Sequence, residues 1–599
     1  MSEPVALLPL LRARSWQGFD IDDVGRVLAG WDDSGTVQLV EIAPDGTPTV
    51  LTDLPGSCSG RYLPGERTVV VSHDHDGNER AQLSLLDPDV PGVLTPLVQD
   101  PEHIHALAQV LPGRVLYRTN RRNGVDFDVV ARNVATGAEE VLYSRGGMVT
   151  EVAQSPDARY LLLGVVGAAA MSTQLLLVDT LASTPDGTVT ELTAADAVGR
   201  HENLHWLPDS SGFLVTTDRD SDRTVVARHD LDQGAWTVLV ADEHDLTGWL
   251  SPDGATLLCE ANVDGWSELS LRGLDGGLDG GGAPVVLPTP AVIGGMRPAP
   301  RFAPGSATVL ASASAPDRPG DVLVLDVASG RARHVVGDGV DGAVNPSSHL
   351  VPTGDGELVP CYSYAAGEPN GSAVVLVHGG PEGQSRPAFN PVVQGLVAAG
   401  HTVCVPNVRG SVGYGRRWYS MDDVRLRMDS VADLAAVHAW LPSLGVDPSR
   451  VALWGGSYGG YMVLMGCAFQ PELWAAGVDI VGMSSLVTFL ENTSPYRRAA
   501  REREYGSLAH DRDFLTSASA LSRIGDLRAP LVVIHGANDP RVPLSEAEQL
   551  HAALTSRGIE CELLVYPDEG HGLAKRVNRE DAYPRALEFL RRHLSAPVS

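Results

Sequence analysis

Residues 451–467 read VALWGGSYGGYMVLMGC, and this stretch decides the fold of the C-terminal part of the chain. Val451 to Trp454 is an apolar, strand-forming run, and Tyr461 to Cys467 has the character of a buried helix. Between them, Gly455 to Gly459 spells G-x-S-x-G around Ser457. Set between a buried strand and a helix, this pattern is a nucleophile elbow. The turn is so sharp that only glycine fits beside the serine, whose hydroxyl stands above the sheet with a helix N-terminus behind it.

A serine hydroxyl becomes a useful nucleophile only beside a base, and the base needs a group to orient it. Behind such an elbow the chain order is serine, acid, histidine. Downstream, LVVIHGAND (531–539) predicts a strand running into a loop that carries Asp539, 82 residues after Ser457. LLVYPDEGHG (563–572) predicts the last strand and a loop carrying His571, 32 residues further on. Both lie just past the C-terminal ends of strands, where an open α/β sheet holds its ligands. The expected roles are Ser457 as nucleophile, His571 as base then acid, and Asp539 as the group that orients the imidazole. His535 is a rival base, but its place at the end of an apolar strand marks it as a buried structural histidine. Asp568 and Glu569 are rival acids that almost adjoin His571. Upstream, AVVLVHGGP (373–381) predicts a strand ending in a glycine-rich turn. The N–H of Gly379 or Gly380, with that of Tyr458, is the expected oxyanion hole.

Together with NVRGSVGYG (407–415), these motifs resemble the prolyl oligopeptidase family of serine peptidases, and within it the acylaminoacyl-peptidase-like branch. The strong motifs cover residues 370–575. The resemblance implies cleavage of short peptides through an acyl-enzyme, with a β-propeller capping the catalytic domain. It favours Asp539 over Asp568 and Glu569 as the acid. The family's prolyl-specific and dipeptidyl branches add a tyrosine to the oxyanion hole from the loop that reads HGGP here, so proline specificity does not carry over. The dipeptidyl branch binds the substrate amine with a glutamate pair; Glu139-Glu140 follows a hairpin turn and reads as a solvated pair. Arg409 and Tyr414 read as structural. A carboxylesterase, or a biosynthetic amide hydrolase or ligase, would use the same triad and stays open. So does a propeller-based binding protein with a decayed hydrolase.

The first 340 residues carry a weak repeat. Loop prolines recur at Pro64, Pro112, Pro156, Pro208, Pro252 and Pro304, most of them followed by a short strand such as YLLLG (160–164). One further unit fits ahead of them. Short strands at this period, with turn residues between, predict a β-propeller of seven blades, or eight if one unit hides two. From about residue 345 apolar strands alternate with helical periods, as in a parallel sheet covered on both faces. The expected division is an N-terminal segment 1–14, a β-propeller over 15–340 and an α/β-hydrolase domain over 341–599; the resemblance implies that the first segment packs back on the catalytic domain.

Composition narrows the function classes. A net charge of −30 repels nucleic acid and anionic membranes. No run of residues is apolar enough to span a bilayer, and no secretory signal stands at the N-terminus. Six scattered cysteines without metal spacing suit buried thiols in a cytoplasmic protein. Lys575 is the only lysine in the chain, which leaves neither a Schiff-base candidate nor a phosphate-binding loop. The expectation is an enzyme without metal or cofactor, and the resemblance implies short peptides as its partners; self-association stays open. Residues 485–505 lie where this fold builds part of its substrate pocket. Phe489, Arg497 and Arg498 are candidate substrate contacts there, set against the plainer reading that the arginines pair with neighbouring acids on a helix.

Overall fold

The computed structural model describes residues 7–181, 188–274 and 282–595. Residues 1–6 of the expected N-terminal segment lie outside that set. Six consecutive four-stranded antiparallel sheets and a seventh of five strands form the propeller, each built from strands adjacent in sequence. The blade count is seven. Five of the loop prolines fall in the turn between the first two strands of their blade, as Pro156 does between Val149–Gln154 and Tyr160–Val166, and Pro304 falls between the short strand Arg301–Phe302 and Thr308–Ala315. Proline suits that turn because its fixed φ pre-forms the bend and the missing N–H leaves no ladder partner unpaired.

Neighbouring blades are joined by apolar residues from both. Leu116 and Val129 of blade 3 meet Leu161 and Leu163 of blade 4 in one buried cluster. The ring closes the same way. Blade 1 (Trp16–Ile21 to Pro48–Val50) and blade 7 (Val292–Ile293 to Arg331–Val336) exchange no strand. Trp16, Ile21 and Ala29 pack instead against Leu310, Val322 and Val324. Ser312 Oγ accepts the Gly18 N–H at 2.9 Å across this seam.

The second half is built on an eight-stranded sheet. In spatial order its strands are Ser347–Pro352, Leu358–Tyr364, Thr402–Pro406, Ala373–Val377, Val451–Gly456, Ala476–Ile480, Leu531–Gly536 and Cys561–Tyr566. The first two strands run antiparallel to their neighbours and the remaining six are parallel. Successive side chains enter opposite cores: Val451 and Leu453 one, Ala452 and Trp454 the other. Burial on both faces is why these strands read as unbroken apolar runs. Helices Arg427–Trp440, Tyr458–Phe469 and Ser545–Thr555 cover one face, and Pro391–Ala398 and Arg576–His593 the other. The short helix Leu7–Leu11 packs on these last two, and Arg12 forks onto Glu580 at 2.7 and 3.0 Å.

The propeller docks through the loops that join the second and third strands of its blades. Acidic groups on these loops meet basic groups of the hydrolase half. The Asp222 carbonyl accepts the Arg416 N–H, and its carboxylate accepts the Arg417 N–H. Beside them, Arg386 reaches Glu260 on strand Thr256–Val263, and Tyr419 donates to Asp218. Asp76 and Glu79 meet Lys575 and Arg541.

Candidate active site

Ser457 sits between strand Val451–Gly456 and helix Tyr458–Phe469 with φ 58° and ψ −118°. This is a strained conformation that only surrounding structure can hold. The glycines beside it are forced by contact. A Cβ on Gly455 would lie 2.3 Å from the Gly459 carbonyl, and one on Gly459 would lie 2.1 Å from the Val377 carbonyl. Elbow and glycine-rich loop thus touch through their backbones. A Cβ on Gly379 would sit 3.5 Å from that of Ser457. The N–H groups of Gly379, Gly380 and Tyr458 have no acceptor among the described residues. His378 fastens the loop through its two ring nitrogens, which lie 2.8 Å from the Gly379 carbonyl and 2.8 Å from Ser411 Oγ.

Asp539 and His571 follow the ends of the two neighbouring strands Leu531–Gly536 and Cys561–Tyr566. His571 Nδ1 lies 2.7 Å from Asp539 Oδ2. The other carboxylate oxygen accepts the N–H groups of Arg541 and Val542 at 2.7 and 3.0 Å. Asp539 has a side-chain exposure of 0% and His571 of 9%. A carboxylate held this way accepts the Nδ1 proton, which leaves Nε2 as a base.

The rival groups are engaged elsewhere. His535 is fully buried, with Nε2 2.9 Å from the Val542 carbonyl, and burial pushes its pKa down. Asp568 accepts from Lys575. The Glu569 carboxylate takes the N–H groups of Ala574 and Lys575, each at 2.9 Å, and so fixes the turn from the His571 loop into the last helix. Arg409 holds Asp433 through Nε and Nη2, and Tyr414 accepts from Asn407. Glu139 pairs with Arg121 and Arg132.

In the 485–505 region two expectations change. Phe489 is only 3% exposed and stands edge-on to Tyr505 in the core, where apolar burial holds it away from a pocket wall. The arginines of helix Pro495–Tyr505 do not pair with Glu502 or Glu504. Arg498 donates to the Glu491 carbonyl, and Arg501 lies 3.5 Å from Glu382, just beyond the glycine-rich loop. Arg497 has no carboxylate within ion-pair distance among the described residues. Burial and the neighbouring Arg501 and Arg541 pull its pKa down.

Behind the elbow lies a charge cluster that no single sequence motif announces. Arg427 is wholly buried, bonds Asp422 and Glu504, and places its guanidinium 5.1 and 4.8 Å from the ring centres of Tyr458 and Tyr505. Tyr458 donates to Asp422 at 3.2 Å. Asp422, Asp423 and Glu504 bring carboxylate oxygens within 4.8 Å of one another, the spacing of a cation site, but Arg427 already supplies the charge between Asp422 and Glu504. Burial raises Asp422 to about 7 and Asp423 to about 6. A separate cavity of about 580 Å³ lies between blades 2 and 3 and the acid loop. Asp539 and Tyr496 line it, but neither Ser457 nor His571 does.

Residues 387–597 match the model of the prolyl oligopeptidase family. Dipeptidyl peptidase family member 6 of Caenorhabditis elegans is 36% identical over 228 residues, which are 37% of this chain and 31% of that protein. Dipeptidyl aminopeptidase BIII of Pseudoxanthomonas mexicana is 36% identical over 213 residues, 35% of this chain and 31% of that protein. The matched stretches thus span about a third of either relative. A puromycin-hydrolyzing peptidase of Mycobacterium tuberculosis superposes with a TM-score of 0.86 at 19% identity, over 100% of this chain and 97% of that one. The chain therefore carries a prolyl oligopeptidase family domain, in the α/β-hydrolase fold and joined to a seven-bladed propeller.

Proposed function

We propose that the chain is a serine peptidase that hydrolyses short peptides through an acyl-enzyme. The observation that carries this reading is the pairing of His571 with Asp539 at 2.7 Å, on loops that leave the same sheet edge as the strained Ser457. Ser457 attacks the scissile carbonyl while His571 Nε2 takes its proton; Asp539 holds the tautomer and offsets the charge that forms. The N–H groups of Tyr458 and of Gly379 or Gly380 receive the oxyanion, since none has an acceptor among the described residues. His571 then protonates the leaving amine and activates water for deacylation. No step calls on a metal or cofactor.

The propeller restricts the substrate to flexible peptides, because it docks over the sheet edge where these loops emerge. Arg497 is the substrate contact of choice in the arginine helix. It is a partly buried guanidinium without a carboxylate in ion-pair distance among the described residues, suited to a peptide's C-terminal carboxylate or an acidic side chain. Arg498 is already held by the Glu491 carbonyl and supports the helix.

The test is labelling by a fluorophosphonate probe together with hydrolysis of a mixed peptide library and of p-nitrophenyl esters. Ser457→Ala is expected to remove labelling and to lower peptide hydrolysis by about 10⁴–10⁶. Activity on esters alone would turn the reading to a carboxylesterase. Activity of Ser457→Ala within about tenfold of wild type would end it.

A further inference from the structure

We propose that the blade-2 loop 74–81 is a positioning element for the catalytic pair, gripping the loops of Asp539 and His571 from across the domain boundary. This rests on the reading of Ser457, Asp539 and His571 given above. The loop joins strands Val69–His73 and Gln82–Leu86. It turns through left-handed conformations at Asp76 (φ 50°), Gly77 (φ 72°) and Glu79 (φ 56°). Two side-chain-bearing residues in this region are held there only by what surrounds them.

What surrounds them is the catalytic edge of the other domain. The Asp76 carbonyl accepts from Asn538 Nδ2 at 3.3 Å, and Glu79 accepts from Arg541 Nε at 2.7 Å. Asn538 and Arg541 bracket Asp539. The Asp76 carboxylate accepts from Lys575 Nζ at 2.8 Å, and the same ammonium holds Asp568 at 2.8 Å. Asp568 and Lys575 bracket His571. The one lysine of a chain whose other fixed cations are guanidiniums thus ties the propeller to the histidine loop. An ammonium directs its donors tetrahedrally and serves two separate carboxylates, where a planar fork favours one.

The closest approach is between glycines. A Cβ on Gly77 would stand 2.6 Å from the Gly570 nitrogen, and one on Gly570 would stand 1.9 Å from the Gly77 carbonyl. Gly570 immediately precedes His571. The ion pairs are partly exposed and each is weak. The grip is therefore chiefly one of shape, and a single methyl group at Gly77 wedges the two loops apart.

The experiment compares Gly77→Ala with Gly113→Ala in the full-length protein. Gly113 has a similar left-handed φ of 68° and open space around it, so it carries the backbone penalty without the clash. Gly77→Ala is expected to lower kcat on a peptide substrate by about 10–100-fold with KM little changed, as misplacement of a catalytic group does. Gly113→Ala keeps the wild-type kcat. The charge reversals Glu79→Arg and Arg541→Glu are each expected to lower kcat, and their combination to restore most of it.

Equal kcat in the two alanine variants, a loss confined to KM, or a double reversal no better than the singles overturns the proposal. If the wild type neither hydrolyses nor labels, the functional reading itself fails. Hydrogen exchange of residues 568–575 then decides the grip: lost protection in Gly77→Ala supports it, and unchanged protection overturns it.

Discussion

Replacing Arg427 by leucine tests the charge cluster behind the elbow most directly. Four carboxylates, Glu382, Asp422, Asp423 and Glu504, share two guanidiniums, Arg427 and Arg501. Removing Arg427 leaves four acids against one base, with Asp422 and Glu504 deprived of their direct partner in the interior. Breaking a buried pair from one side costs about 3–5 kcal/mol. For a domain of this size that lowers the melting temperature by roughly 6–20 °C. The pH dependence follows from the same charges. Asp422 already titrates near 7 rather than at its ordinary 3.8, and loss of the guanidinium raises it further. An acid whose folded pKa is raised binds a proton more readily folded than unfolded, so stability falls as pH rises through that interval. The variant's deficit should therefore be large at pH 8 and shrink toward pH 5, where the carboxylates are protonated. The assay is differential scanning fluorimetry of both proteins across that range. A deficit below about 1 kcal/mol at pH 8, or one that grows as pH falls, would refute the reasoning.

Three further outcomes are expected. His571→Ala should lose about as much activity as Ser457→Ala, while His535→Ala should leave kcat within about tenfold and lower the melting temperature; the reverse pattern in a rate assay would reassign the base. Asp479 is buried on the central sheet with its carboxyl raised to about 7, so Asp479→Asn should flatten the fall in stability between about pH 4 and 7, by up to about 4 kcal/mol in total, as read by melting curves across pH. Arg497→Ala should weaken hydrolysis of free-carboxylate peptides about 5–100-fold more than that of their amides, measured as kcat/KM on matched pairs; equal losses would leave it a structural residue.

What could be read in advance was what is local or periodic. The elbow, the two later strand-to-loop transitions and the apolar strands betray themselves within a dozen residues, because turn sterics and burial on both faces act locally. The repeat prolines betrayed the propeller for the same reason: each sits in one turn of one blade. What could not be read depends on partners far apart in the chain. The arginines of 485–505 read as partners of acids on their own helix, yet Arg501 meets Glu382, from the loop beyond Gly380. Arg427 joins Asp422 to Glu504, 77 residues further on, and Glu79 meets Arg541 across 462 residues. Phe489 was misread because an aromatic near a pocket in sequence is as easily drawn into the core. Glu569 drew notice as an acid, but its work as the brace of the histidine loop shows only once the helix start is seen.

The seam between blades 1 and 7 sets the mechanical character of the ring. Every other pair of neighbouring blades is linked by the chain itself, so separating them means stretching a peptide. At the seam the chain does not cross; interdigitated side chains and a few hydrogen bonds such as that from Gly18 to Ser312 resist separation. The propeller therefore behaves as a split washer rather than a closed hoop. Load that spreads the ring, as heat does, concentrates at Trp16, Leu310 and Val322 before it reaches any other blade.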